Sequence, residues 1–408
     1  MPLARLARLG CAYRILESGP IAQDLEATGS LHSESATHAA IAVQDIFDAA
    51  AEQHKRAGDR SAARRCQGLA VDQTLRMRAM VAGALAKVYW TRRAIDELRR
   101  AGGYPDRLEA LRQELLSLQD RSLDEFQPQR IKLNVGDIRE NVTEVFEAAD
   151  LPDALLQFAR AVQPVTLATL QDNALSARRG SIFASLGGST HLDVDGKVIA
   201  ETAAPSSEDD RDWCVEQSLT YLDIWRGQVV NGIIEPARAA MMRRFPIEER
   251  HFHPIVQVSA FVPIAHEHLF ALGFARMWQG DFGSAAYILI PQLEHALRSL
   301  LRMADRDSST IKPDMIQEDR SLSALFESVR PEIDALLGPD LANDIELLFV
   351  QRPGPALRHA VAHGKLGTAA CYSPAAIYAC WLIYHMVCAW AVDDWEGVVA
   401  PAIEAQTR

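Results

Sequence analysis

The sequence predicts a mainly α fold, with an N-terminal helical region carrying a small β-hairpin and a C-terminal helical bundle after it. Three observations lead there. Apolar residues recur at helical spacing through both halves of the chain. Period-two patterning is confined to 191–194 and 197–200, which flank Asp195-Gly196, a two-residue hairpin signal. A chain of 408 residues, 48% hydrophobic and 24% charged, exceeds what one core usually encloses, so two domains are expected, 1–249 and 250–408.

Taken in order, Leu75, Val81, Leu85, Val88 and Tyr89 suggest one amphipathic run ended by Gly102-Gly103. A second run opens at Pro105 and carries Leu108, Leu111, Leu115 and Leu118. Gly187-Gly188 and the hairpin near 190–201 interrupt the helices. The acidic stretch 206–212 reads as a solvated loop. A long helix then passes through Trp213, Leu219, Leu222, Val229 and Ile233, with Pro236 and Pro246 marking its end.

In the C-terminal region His266, Leu269, Phe270, Gly273, Phe274 and Met277 fall on one helical face, closed by Gly280. The next helix has the stripe Ala286, Ile290, Leu293, Leu297 and Leu300, bent at Pro291. Further runs through Leu322–Val329 and Leu341–Phe349 break at Pro331, Gly338 and Pro353-Gly354-Pro355. Ser373 caps a last apolar helix that starts at Pro374. Four or five helices with short connections make a bundle.

Charge and cysteines limit the function classes. A net charge of -12 argues against a surface that grips nucleic acid broadly, though not against a small basic cleft. The six cysteines show no CxxC pair, which suits a reducing cytoplasm better than a disulfide scaffold. Residues 1–17 lack the continuous apolar core of a cleavable leader. The apolar stretch 371–392 is interrupted by Ser373, Tyr378, Tyr384 and His385 and followed by Asp393-Asp394. It reads as a buried or dimer-facing helix rather than a membrane span.

The segment that carries chemistry is 351–365. Pro355 suits a first helical turn and Gly364 the left-handed residue after the last, so Arg358 and His363 sit near the two ends of a short helix. They lie about 140° apart around an ideal helix, a gap the long guanidinium can reach across, whereas His359 and His363 share a face. The helix C-terminus favours a positively charged imidazole that can donate a proton to a leaving oxygen. Arg358 offers donors matched to a phosphate. Together they supply what cleavage of RNA by its own 2′-hydroxyl needs, without a metal. The alternative is that both residues cap a buried helix. His251, His253, His266 and His268 are dense enough to suggest a metal, but Phe270 stands where HExxH needs its second histidine, so no metal or other cofactor is expected.

Arg358-His359 followed by His363-Gly364 resembles the signature of the HEPN superfamily. With 288–298, 118–125 and the Asp195-Gly196 hairpin, the chain is similar to a HEPN-type family of bacterial proteins bearing a C-terminal RHxxxHG motif. The resemblance implies a HEPN-like bundle and a metal-independent endoribonuclease in toxin or anti-phage defence. It assigns Arg358 and His363 as catalytic, with His359, Glu294 and Arg298 binding substrate. Glu294 would orient Arg358, although Glu294 and Arg298 read equally as an i,i+4 surface pair. It further implies RNA as partner and a homodimer through the C-terminal bundle, its seam on the apolar faces of the last helices, with an antitoxin or defence-system partner besides. A non-catalytic nucleotide- or RNA-binding module, or a protein-interaction module, stands as the alternative.

Overall fold

A computed structural model describes residues 2–34, 39–126, 131–180, 188–203, 205 and 210–407. About 74% of the structure is helical and about 4% strand, so the mainly α expectation is met. The chain forms two compact units, 1–130 with 192–197, and 131–191 with 198–408. The division expected near residue 250 instead falls inside the second unit. Apolar patterning cannot reveal this, because residues on both sides of 250, from Phe146 to Ile403, bury into one continuous core.

Among the described residues the first unit is a run of six α-helices: α1 (Pro2–Ala12), α2 (Ser18–His32), α3 (Ala40–Arg56), α4 (Arg60–Met80), α5 (Ala84–Ala101) and α6 (Pro105–Leu123). Successive helices pack on one another. Small residues allow close approach on α2, α3 and α4: Ala22, Ala49, Ala50, Ala63 and Ala70 are buried, and a Cβ on Gly29 would stand 2.8 Å from the Phe47 ring. The single run expected through 75–89 is two helices, because Gly83 at φ 86° breaks it after Met80. Pro105 opens α6 as expected.

The second unit begins with α7 (Gly136–Ala148), α8 (Leu151–Arg160) and α9 (Leu167–Gly180). A hairpin of β1 (Ser189–Leu192) and β2 (Val198–Thr202) follows in the chain, its turn at Gly196, φ 72°, falling in the segment 192–197 assigned to the first unit. The expected irregularity at Gly187 and most of the acidic loop 206–212 lie outside the described residues. Asp210 caps α10 (Arg211–Val229) by accepting from the Trp213 N–H. Pro236 does not end this helix. A π-helical turn over Val230–Ile234 joins α10 to α11 (Glu235–Arg244), and its wider bore accommodates the ring and missing N–H of Pro236.

Next come α12 (His253–Val258), α13 (Glu267–Trp278) and α14 (Phe282–Met303), the last containing Pro291. Gly273 sits where α13 meets α14, and a Cβ there would lie 2.5 Å from Leu289. A second hairpin, β3 (Ser309–Ile311) and β4 (Gln317–Asp319), pairs Thr310 with Glu318. It was not anticipated, since its three-residue strands are largely exposed and carry no apolar alternation. Pro331 sits in the first turn of a new helix: α15 (Leu322–Ser328), α16 (Arg330–Leu337) and α17 (Pro339–Ile345) lead into a π turn at Glu346–Val350. The unit ends with α18 (Leu357–Ala362), α19 (Thr368–Cys371), α20 (Pro374–Ala389) and α21 (Ala400–Thr407).

The centre of the unit is α20, which packs on α14, α8, α10 and α13. Trp381, Leu382, Ile383 and Tyr384 are fully buried there. Its polar interruptions each find a partner: Tyr378 donates to Asp344 at 2.7 Å, Tyr384 to the Leu155 carbonyl at 3.1 Å and His385 to the Ala159 carbonyl at 2.7 Å, while Ser373 accepts from the Ala376 N–H at 3.3 Å; Trp381 also donates, to the Phe158 carbonyl at 2.9 Å. Asp344 also holds Arg226 at 2.8 Å, both almost fully buried. The apolar faces of α20 are therefore occupied within one chain, so this helix does not itself offer the exposed seam expected on the last helices. Among the described residues no single helix is long and apolar enough to cross a membrane. The six cysteines are free.

Candidate functional site

Pro353-Gly354-Pro355 keeps the chain out of helix up to Ala356, which adopts a left-handed conformation at φ 44° and lets α18 start only at Leu357. Leu357 and Val361 anchor α18 to the core against α14. Arg358, His359 and His363 are thereby carried on the side that is not buried. Gly364, at φ 65°, ends the helix as its position suggested, and His363 is the residue that caps it.

Arg358 extends to α14 and meets Glu294 through two bonds, Nε to Oε2 at 2.6 Å and Nη2 to Oε1 at 3.3 Å. Glu294 also accepts from Arg298 Nη1 at 2.7 Å, and the same Nη1 donates to the Arg320 carbonyl at 3.0 Å. Burial pushes the Glu294 carboxyl up, but hydrogen bonds from Arg358 and Arg298 outweigh it and hold the group below the usual carboxylate range. Glu294 is buried and Arg298 nearly so. Both lie on α14, Glu294 against Arg358 and Arg298 against Glu294. Glu294 contacts Arg358 and also pairs with Arg298 one turn on, and that pair is largely enclosed rather than on the helix surface as expected.

The other part of the site is open. His363 is exposed and His359 half-exposed, and their rings lie 4.2 Å apart at an interplanar angle of 53°. Among the described residues neither ring has a hydrogen-bond partner. Burial, then the charges of Arg352, His363, Lys365 and Arg358, push the His359 imidazole below its ordinary value. All four of those neighbours are basic, so the field at this ring is one that attracts an anion. Arg358 keeps Nη1 without a protein partner among the described residues, because its contacts with Glu294 use Nε and Nη2. A half-exposed, oriented guanidinium thus lies on the same short helix as an exposed imidazole pair. Arg352 and Lys365 were missed in the sequence, where nothing but proximity to the motif marks them.

The remaining histidines are dispersed. His253 and His268 both face Glu249, at 3.3 Å and 2.9 Å. His266 precedes α13 instead of joining its apolar face. It bonds Gln292 at 2.6 Å and packs on His295 with ring centroids 4.4 Å apart. Burial, and after it His266, Arg298 and Arg302, lower the His295 imidazole. His251 instead lies against the Glu248 backbone, so among the described residues His251, His253, His266 and His268 do not form one ligand set.

No family model, no curated protein and no solved structure matches the chain.

Proposed function

We propose that the second unit carries a metal-independent endoribonuclease site of the HEPN kind, with Arg358 holding the scissile phosphate and His363 moving protons. The observation that carries this reading is the pairing of Arg358 with buried Glu294 beside the open His359–His363 pair. A guanidinium fixed on one edge presents its remaining N–H groups without further ordering cost, which suits stabilisation of charge building on a phosphate. His363 takes the proton of the ribose 2′-hydroxyl as it attacks phosphorus, or gives one to the departing 5′-oxygen. The products are a 2′,3′-cyclic phosphate and a 5′-hydroxyl. On this reading, as in the HEPN enzymes the chain resembles, a second copy of the chain supplies the other His363, in a homodimer formed through a surface other than α20. Six free cysteines fit a reducing, cytoplasmic setting. A role in toxin or anti-phage defence, with an antitoxin or other defence partner, belongs to the same reading.

A second reading draws on the same contacts. Arg358 has already committed two of its nitrogens to Glu294, which leaves a weaker phosphate grip and suits a module that binds nucleotide or RNA without cutting it. One experiment separates the two: end-labelled RNA incubated with the purified chain in excess chelator. Cleavage leaving cyclic phosphate ends, blocked by a 2′-deoxy residue at the scissile position and lost in both Arg358→Ala and His363→Ala, is the expected result. Binding without turnover favours the module. Cleavage that requires magnesium, or survives both substitutions, refutes the ribonuclease.

A further inference from the structure

A different cluster, in the first unit, has no part in that chemistry. Glu26 on α2, His54 on α3 and Cys66 on α4 bring a carboxylate oxygen, an imidazole nitrogen and a thiol sulfur within 4.8 Å of one another. Cys66 is fully buried and His54 nearly so, while the Glu26 side chain is 18% exposed. His54 Nε2 lies 3.0 Å from Glu26 Oε2. Arg65 approaches the same carboxylate, its Nε donating to Oε1 at 2.7 Å and its Nη2 to Oε2 at 3.0 Å.

The geometry points to a binding site for a thiophilic divalent cation such as zinc, held by Cys66 sulfur, His54 Nε2 and Glu26 Oε2. The donor set carries the argument. A thiolate sulfur and an imidazole nitrogen suit zinc, which also accepts a carboxylate oxygen, and disfavour magnesium or calcium, which take oxygen ligands. Ligands at zinc–ligand distances of about 2.0–2.3 Å in a tetrahedron are roughly 3.3–3.8 Å apart. The His54–Glu26 separation of 3.0 Å is somewhat below that spacing, and all three ligand atoms lie within 4.8 Å of one another, so binding needs only small adjustments of these side chains. With Oε2 on the ion, Arg65 remains on Oε1 and fixes the carboxylate from outside, as second partners of metal ligands commonly do. Three protein ligands leave a fourth position for water.

Without a metal the thiol is inert, since burial, with Glu26 beside it, pushes Cys66 up to about 12. Binding replaces the thiol proton: the S–H bond breaks, the sulfur keeps the electron pair and bonds the cation, and one proton passes to solvent. No sequence signal marks this site, because the ligands come from three helices in no zinc-type spacing, and the expectation of no metal rested on the unrelated histidines at 251–268.

The test uses the full chain, stripped with chelator and titrated with cobalt(II). One equivalent is expected to produce a near-ultraviolet thiolate-to-cobalt band and the visible bands of a four-coordinate ion, both removed by zinc. Cys66→Ser abolishes the near-ultraviolet band, and Glu26→Gln weakens binding by about tenfold or more, with helicity retained by circular dichroism. Zinc added to the wild type near neutral pH releases about one proton per chain, a readout independent of any variant's folding. Absence of the band and of proton release in the wild type overturns the site. So does a band that persists in Cys66→Ser, which would place the ion on another thiol.

Discussion

Replacing Glu294 with alanine removes the carboxylate that two guanidinium groups share. Three bonds are lost, at 2.6, 2.7 and 3.3 Å. Taking one partner from a fully buried ion pair costs about 3–5 kcal/mol, whereas an exposed pair is worth about 0–1 kcal/mol. The side chains here are 11% (Glu294), 15% (Arg298) and 31% (Arg358) exposed, so the cost falls between these limits, at about 2–3 kcal/mol. Arg358→Ala is milder, about 1 kcal/mol, because Glu294 keeps Arg298 and the vacated space opens to water. In the Glu294→Ala background, removing Arg358 as well takes away a cation that has lost its partner. The double variant should therefore be less damaged than the sum by about 1–2 kcal/mol. Thermal unfolding of the four proteins at pH 7 measures this, with Glu294→Ala shifting Tm by roughly 3–5 °C. Additivity within about 0.5 kcal/mol would show that the pair is not coupled. An Arg358→Ala loss as large as that of Glu294→Ala would show that Arg358 supports the fold rather than a ligand.

His363→Ala should leave Tm within about 1–2 °C of wild type, since the ring is exposed, while lowering any chelator-resistant RNA cleavage by about 100-fold or more. Stability should fall as pH drops from about 7 to 5. Burial pushes the His385 imidazole down despite its 2.7 Å bond to the Ala159 carbonyl, so below about pH 6.5 the unfolded chain takes up a proton that the folded one refuses. A His385→Gln variant whose Tm is as steep in pH as wild type would remove that assignment. Asp344→Ala strands Arg226 in the core and should cost about 3–5 kcal/mol, seen as a large Tm loss or insoluble expression. Gly273→Val places side-chain atoms where Leu289 already sits and should cost about 1–3 kcal/mol, detectable by calorimetry.

Local chemistry explains which parts of the fold were readable. Gly280, Gly338 and Gly364 all take positive φ at helix ends, as a residue without a Cβ permits. Asp195-Gly196 turns its hairpin because Asp193 accepts the N–H groups of Asp195 and Lys197 at 3.0 and 2.9 Å, bonds made within five residues. Prolines misled where their effect depends on what surrounds them. Pro236 and Pro331 stand in the first turns of helices, Pro236 because a π turn precedes it. The site was legible only as a motif. Arg358, His359 and His363 lie within six residues, but the supporting Glu294 is sixty-four positions away.

The sequence by itself determined the helical class, the Asp195-Gly196 turn, the glycine helix ends and the short helix bearing an arginine and two histidines, because each depends on neighbours in the chain. Tertiary structure alone decided where the units divide, that α20 is enclosed, that Glu294 clamps Arg358, and that Glu26, His54 and Cys66 converge. Those outcomes depend on which helix faces meet, and many pairings satisfy the same apolar stripes.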